Sequence, residues 1–124
     1  MAKILIVDDD QTIGFMIRDI LEFSGHEVTV SQQPKKTKEN IIENDIDLIL
    51  LDKLISGVDG TDVCAELKKD NTVANVPILM MSALHNVGEI CVSAGAEGFI
   101  AKPFDMDTLI EKVNSILEKK SANS

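Results

Sequence analysis

The chain has 124 residues, 44% of them hydrophobic, enough for one compact domain and too few for two. Charged residues make up 27%, which argues against wholesale disorder. Twelve basic against twenty-one acidic residues give a formal charge of -9, which argues against nucleic acid or anionic lipid as partner. Such a surface suits a cation, or a basic patch on another protein.

The N-terminus, MAKILIVDDD, has too short an apolar stretch for a signal peptide, and no segment reaches the length of a membrane span. The expected setting is a soluble, cytoplasmic domain. Cys64 and Cys91 have no Cys or His at metal-ligand spacing and read as two reduced, packed thiols.

In chain order, the first apolar run is Ile4-Leu5-Ile6-Val7, a buried strand by length and composition. Asp10 then caps a helix whose stripe is Ile13, Met16, Ile17, Ile20 and Leu21, and which stops near Gly25. Val28-Thr29-Val30 is a weaker strand. The segment from Pro34 to Asn44 carries only Ile41 and Ile42 as strong apolar residues and predicts the poorest helix. Leu48-Ile49-Leu50-Leu51 is the third strand, followed by a helix marked by Val63, Cys64 and Leu67. Ile78-Leu79-Met80-Met81 is the fourth, followed by a helix marked by Ile90, Cys91 and Ala94 that ends at Gly95. Phe99-Ile100-Ala101 is the fifth, and a final helix capped by Asp105 carries Leu109, Val113, Ile116 and Leu117. Five strands alternating with helices predict one α/β domain built on a parallel sheet covered on both faces. The domain is expected to occupy residues 1–120, with 121–124 a short polar tail.

The strand ends hold the chemistry. The first ends in Asp8-Asp9-Asp10, the third in Asp52, the fourth in Ser82 and the fifth in Lys102. In an open parallel sheet the ligand crevice lies outside the carboxyl ends of the strands. Caps and loop acids account for Asp10 and Asp105 but not for the whole set. Clustered carboxylates either share a proton or bind a cation, and a few hard oxygens with room for water suit Mg²⁺. An aspartate beside Mg²⁺, a hydroxyl and a lysine can attack phosphorus and form an acyl phosphate.

VDDD, LLDKLISGVDG, PILMMSA and GAEGFIAKPF, in that order, resemble the receiver domain of bacterial two-component response regulators, from Lys3 to about Leu117. The resemblance implies a doubly wound, flavodoxin-like fold with strand order 2-1-3-4-5 and five helices. It implies that Asp52 is the phosphoacceptor and that its phosphoryl donor is a histidine kinase or a histidine phosphotransfer protein. Asp9 would ligate Mg²⁺ directly, Asp8 would help through water, and the backbone carbonyl of Leu54 would add a ligand. Ser82 would be the switch hydroxyl, Lys102 the partner of the phosphoryl group, and the peptide before Pro103 would be cis. Phe99 falls where receivers carry a switch aromatic, and it reads equally as a half-buried core ring. The face of the fourth helix, fifth strand and fifth helix would exchange target proteins, in a stand-alone receiver that is a monomer or a phosphorylation-dependent dimer. It would not be an enzyme beyond any loss of its own phosphoryl group.

Some positions depart from the commonest receiver pattern. Lys53 replaces an apolar residue, and strand alternation turns its side chain away from the acceptor. Ile55-Ser56 replaces a frequent Met-Pro, which predicts a more mobile loop. The short span between Ser82 and Lys102, with Gly88 inside it, predicts a short fourth helix. Phe99 lacks a tyrosine hydroxyl. Elsewhere His26 and His85 read as solvated loop residues and Lys35, Lys36 and Lys38 as a solvated helix face. Gly57 and Gly60 read as a turn, and Met80 and Met81 as core strand.

Two other functions fit part of the pattern. Asp8-Asp9-Asp10-Gln11-Thr12 matches the D-x-D-x-T of haloacid-dehalogenase-type phosphatases, with Asp8 as nucleophile, but only the helical acids Asp105 and Asp107 follow the lysine. The other is a receiver fold kept for binding without phosphorylation. Metal-dependent phosphate uptake at Asp52 separates it from the main reading.

Overall fold

The computed structural model describes residues 1–84 and 86–122, the last two by backbone only. His85 and the end of the polar tail lie outside the described residues. The elements run β1 Lys3–Val7, α1 Gln11–Phe23, β2 Glu27–Ser31, a 3-10 turn Pro34–Lys36 leading into α2 Thr37–Asn44, and β3 Leu48–Asp52. Then come β4 Leu54–Ile55, β5 Val58–Asp59, α3 Gly60–Lys69, β6 Ile78–Ser82, α4 Gly88–Ser93, β7 Gly98–Ala101 and α5 Met106–Ala122. The main sheet has the order β2-β1-β3-β6-β7, all parallel. This is the doubly wound arrangement that the strand–helix alternation and the resemblance predict.

The all-apolar strands follow from burial on both faces. Alternate residues of β1, β3 and β6 point to opposite layers. Leu5, Leu51 and Met80 meet Ile41 of α2, Cys64 and Leu67 of α3 and Cys91 of α4. Ile6, Leu50 and Met81 meet Ile17 and Leu21 of α1 and Leu109 and Val113 of α5. Both cysteines are therefore packed and free, as expected, and Met80 and Met81 are core. β2 is the half-buried edge strand, which explains its weak signal.

Helix ends follow local chemistry. Asp10 accepts the Ile13 N–H at 3.2 Å and Asp105 accepts that of Thr108 at 2.7 Å, so both predicted caps form. α1 gives way at Gly25, whose φ of 95° suits glycine. α2 is short and buries only Thr37 and Ile41, in keeping with its thin apolar pattern. α4 spans only six residues, as the short segment predicted.

Two expectations change. The loop after Asp52 is a hydrogen-bonded hairpin, β4–β5, with Ile55 opposite Val58. Its two central residues, Ser56 and Gly57, have φ of 51° and 81°, the type I′ pattern whose twist suits tight hairpins. His26 is half-buried and not a solvated loop residue: its Nδ1 accepts the Ala2 N–H at 3.0 Å, and burial lowers its pKa. Lys35, Lys36 and Lys38 are exposed as predicted, with Lys38 paired to Asp70 at 2.6 Å.

Candidate metal and phosphoryl-transfer site

Strand register brings the polar ends together. Val7 lies opposite Leu51, Asp52 opposite Met81 and Ser82 opposite Ala101, so Asp8, Asp52, Ser82 and Lys102 emerge at one edge. Apolar runs that stop in step thus deliver their first polar residues to one place, the crevice beyond the carboxyl ends.

Asp8 is fully buried. Its Oδ1 accepts the Asp10 N–H at 2.9 Å, and its Oδ2 accepts from Lys102 Nζ at 2.9 Å. Asp52 is 9% exposed, and its Oδ2 lies 3.2 Å from the same ammonium. Asp9 is exposed and turns to the hairpin, where its Oδ2 accepts the Ser56 N–H at 2.7 Å. Carboxylate oxygens of Asp8, Asp9 and Asp52 all lie within 4.8 Å of one another. One ammonium thus pairs with two of three clustered carboxylates.

Burial, reinforced by the charge of Asp8, pushes the Asp52 carboxyl above its ordinary pKa, and Lys102 offsets only part of this. Burial alone would lower Lys102, but its hydrogen bond to Asp8 and the charges of Asp52 and Asp8 outweigh it and hold the ammonium firmly protonated. An uncompensated negative pocket of hard oxygens, with ligand atoms close enough to share one ion, fits Mg²⁺. The donor set contains no thiolate or imidazole that would favour a softer metal.

Ser82 is buried, and its Oγ accepts the Leu84 N–H at 3.0 Å, while its carbonyl accepts the Lys102 N–H at 2.7 Å. The Lys102–Pro103 peptide is cis. Phe99 is half-buried against the α3–α4 layer. Leu54 opens β4, with its side chain 63% exposed. Lys53 turns away from Asp52, as alternation predicts, and its Nζ sits 3.4 Å from both carboxylate oxygens of Asp59.

Gly60, expected in a turn, is the first residue of α3 and is seated on the end of β3. A Cβ there would lie 2.1 Å from the Asp52 carbonyl oxygen. The Ser56 N–H beside Asp9 and the Lys53–Asp59 pair also have no direct sequence signature. The available signal is Ser-Gly between apolar Ile55 and Val58, a two-residue hairpin pattern.

The arrangement weighs against Asp8 as a nucleophile. Both of its oxygens are engaged and none of its surface is exposed, whereas Asp52 keeps some exposure. Asp105 serves as a helix cap instead of extending the acidic cluster.

The geometry defines a flavodoxin-like domain with an acidic pocket at the carboxyl edge of its sheet. The family model of the response regulator receiver domain matches residues 4–114. The chain belongs to that family. It is 32% identical over 121 residues to the DNA-binding dual master transcriptional regulator RpaA of Synechocystis sp. PCC 6803, covering 96% of this chain and 50% of that protein. Response regulator MprA of Mycobacterium sp. KMS is 31% identical over 122 residues, 97% of this chain and 52% of that protein. The chain thus spans about half the length of the curated relatives it matches. Among solved structures, the CheY-like receiver domain protein of Methanospirillum hungatei JF-1 superposes with a TM-score of 0.90 at 27% identity, covering 100% of this chain and 99% of that one. The receiver domain of Francisella response regulator 1452 gives 0.87 at 30% identity, with 96% and 98% covered. Among the described residues, no helix is long and apolar enough to cross a membrane.

Proposed function

We propose that this receiver, a unit whose last helix runs on to Ala122 and does not stop at residue 120 as the sequence suggests, accepts a phosphoryl group on Asp52 from a phosphohistidine of a sensor kinase or phosphotransfer protein in the cytoplasm. The observation that carries this reading is the buried Asp52 carboxylate, sharing one ammonium with Asp8 at the sheet's carboxyl edge.

Asp8, Asp9, Asp52 and the Leu54 carbonyl would hold Mg²⁺, which supplies charge neutralisation at the phosphoryl oxygens when bound. An Asp52 Oδ attacks phosphorus, a new O–P bond forms, and the P–N bond to the donor imidazole breaks with its electron pair returning to the ring. Lys102 is already beside Asp52 Oδ2 and stabilises the negative charge on the transferring group. Ser82 then donates its hydroxyl proton to a phosphoryl oxygen and draws the Leu84 backbone with it, through the hydrogen bond from Leu84 N–H to its Oγ. Phe99, packed between that strand and α4, carries the change to the α4–β7–α5 face, where a target protein or a second copy is exchanged.

Intact mass after incubation with acetyl phosphate and Mg²⁺ tests this. A phosphoryl adduct that needs the metal is expected in the wild type and not in Asp52→Asn. An adduct lost in Asp8→Asn but retained in Asp52→Asn would point to the phosphatase reading. No adduct at all would leave a receiver fold that only binds.

A further inference from the structure

The residue after the acceptor is the least expected one in the site, and its side chain has a definite job to do. Lys53 precedes β4 and Asp59 ends β5, so their pair at 3.4 Å closes the open end of the β4–β5 hairpin. The Lys53 carbonyl accepts the Gly60 N–H and its N–H donates to Met81 at 2.8 Å, fixing its backbone between β6 and α3. Asp59 is held in turn, because Oδ1 accepts the Thr61 N–H at 2.9 Å and the Thr61 hydroxyl at 2.7 Å. At the other end of the hairpin the Ser56 N–H reaches Asp9.

A hairpin with two residues per strand has little stability of its own, so ties at its base and tip set its position. That position matters to the metal corner, because Leu54 lies within the hairpin and Asp9 is steered by its turn. Lys53 itself is only 17% exposed and faces away from the cluster; the charges that bear on Asp52 are those of Asp8 and Lys102.

We propose that Lys53 is a positioning residue for the metal site: its ion pair with Asp59 closes the hairpin base and so sets the Leu54 carbonyl and the Ser56 N–H against Asp9 before a cation arrives. The metal half of this inference rests on the receiver reading above; the hairpin half does not.

The sign of two substitutions separates positioning from simple charge. If Lys53 acted by its charge, Lys53→Met would tighten Mg²⁺ binding and Asp59→Asn would weaken it. As a latch, both weaken it. The experiment follows backbone amide exchange at Ser56 and Mg²⁺ affinity by amide chemical shifts, in wild type, Lys53→Met, Lys53→Arg and Asp59→Asn. In the metal-free protein, faster exchange at Ser56 is expected in Lys53→Met and Asp59→Asn, with Lys53→Arg close to wild type. Mg²⁺ affinity should fall about tenfold in the first two, at the lower end of what outer-sphere partners contribute. Unchanged Ser56 exchange in Lys53→Met, or opposite effects of Lys53→Met and Asp59→Asn on affinity, would overturn the latch. Failure of the wild type to bind Mg²⁺ would overturn the metal reading of the site and the metal half of the latch, while the exchange data still decide whether Lys53 holds the hairpin.

Discussion

Gly60 is packed against the backbone of Asp52 so closely that a Cβ would stand 2.1 Å from the Asp52 carbonyl oxygen and 3.0 Å from the Lys53 Cα. Both contacts are backbone and cannot swing aside. Gly60→Ala therefore has to push α3 away from β3. It should cost about 1–3 kcal/mol, in the range of other overpacking changes, and slow phosphorylation through displacement of Asp52. Urea unfolding and the rate of adduct formation measure the two effects. An alanine variant with wild-type stability would contradict this packing.

Asp52 gives a pH prediction with a definite sign. Its folded pKa is raised by burial and by Asp8, from an unfolded value of about 3.9. Between the unfolded and the raised folded value, the unfolded chain releases its proton first, so rising pH lowers stability through this group. Above the folded value the whole cost remains. Asp52→Asn should therefore be more stable than wild type at pH 7, with the gain disappearing below the unfolded pKa. Unfolding midpoints across this range check it, and equal midpoints at pH 7 would refute it.

Lys102 pairs with an Asp8 that has no exposed surface. Removing one member of a buried pair leaves the other uncompensated, a loss of about 3 kcal/mol. Lys102→Ala should be destabilised by that amount and should recover in part on addition of Mg²⁺, which neutralises the same carboxylates. Thermal melting with and without the metal shows this. No metal-dependent recovery would count against the cation site. The variant should still take up some phosphoryl group but pass the signal poorly to a partner.

Cys64 lies fully buried between α3 and the sheet, and burial pushes its thiol up to about 11. With little thiolate and no access, it should resist aromatic disulfide reagents at pH 8 and react only on unfolding. Rapid labelling of the native protein at this position would mean that the α3–α4 layer opens far more readily than its packing implies.

The fold was legible because the apolar runs of β1, β3 and β6 are buried on both faces and because Asp10, Gly25 and Asp105 punctuate the helices as their chemistry dictates. The site was legible because strand ends in register place Asp8, Asp52, Ser82 and Lys102 at one edge. What escaped were relations that need three dimensions. Gly60 is a glycine through contact with a backbone eight residues earlier, which no local turn preference encodes. Lys53 finds Asp59 only once the intervening residues fold back as a hairpin. The imidazole of His26 looks like a loop polar group until the edge of β1 supplies the Ala2 N–H. In each case a neighbour distant along the chain or hidden by a turn decides the role.

The proposed acceptor, Asp52, can be marked chemically. An acyl phosphate is reduced by borohydride to an alcohol, so reduction after acetyl phosphate treatment, followed by peptide mapping, marks the acceptor. A Mg²⁺-dependent mark is expected on the peptide containing Asp52, at that residue alone. A mark at Asp8, or a phosphorylated protein with no reducible aspartate, would contradict it.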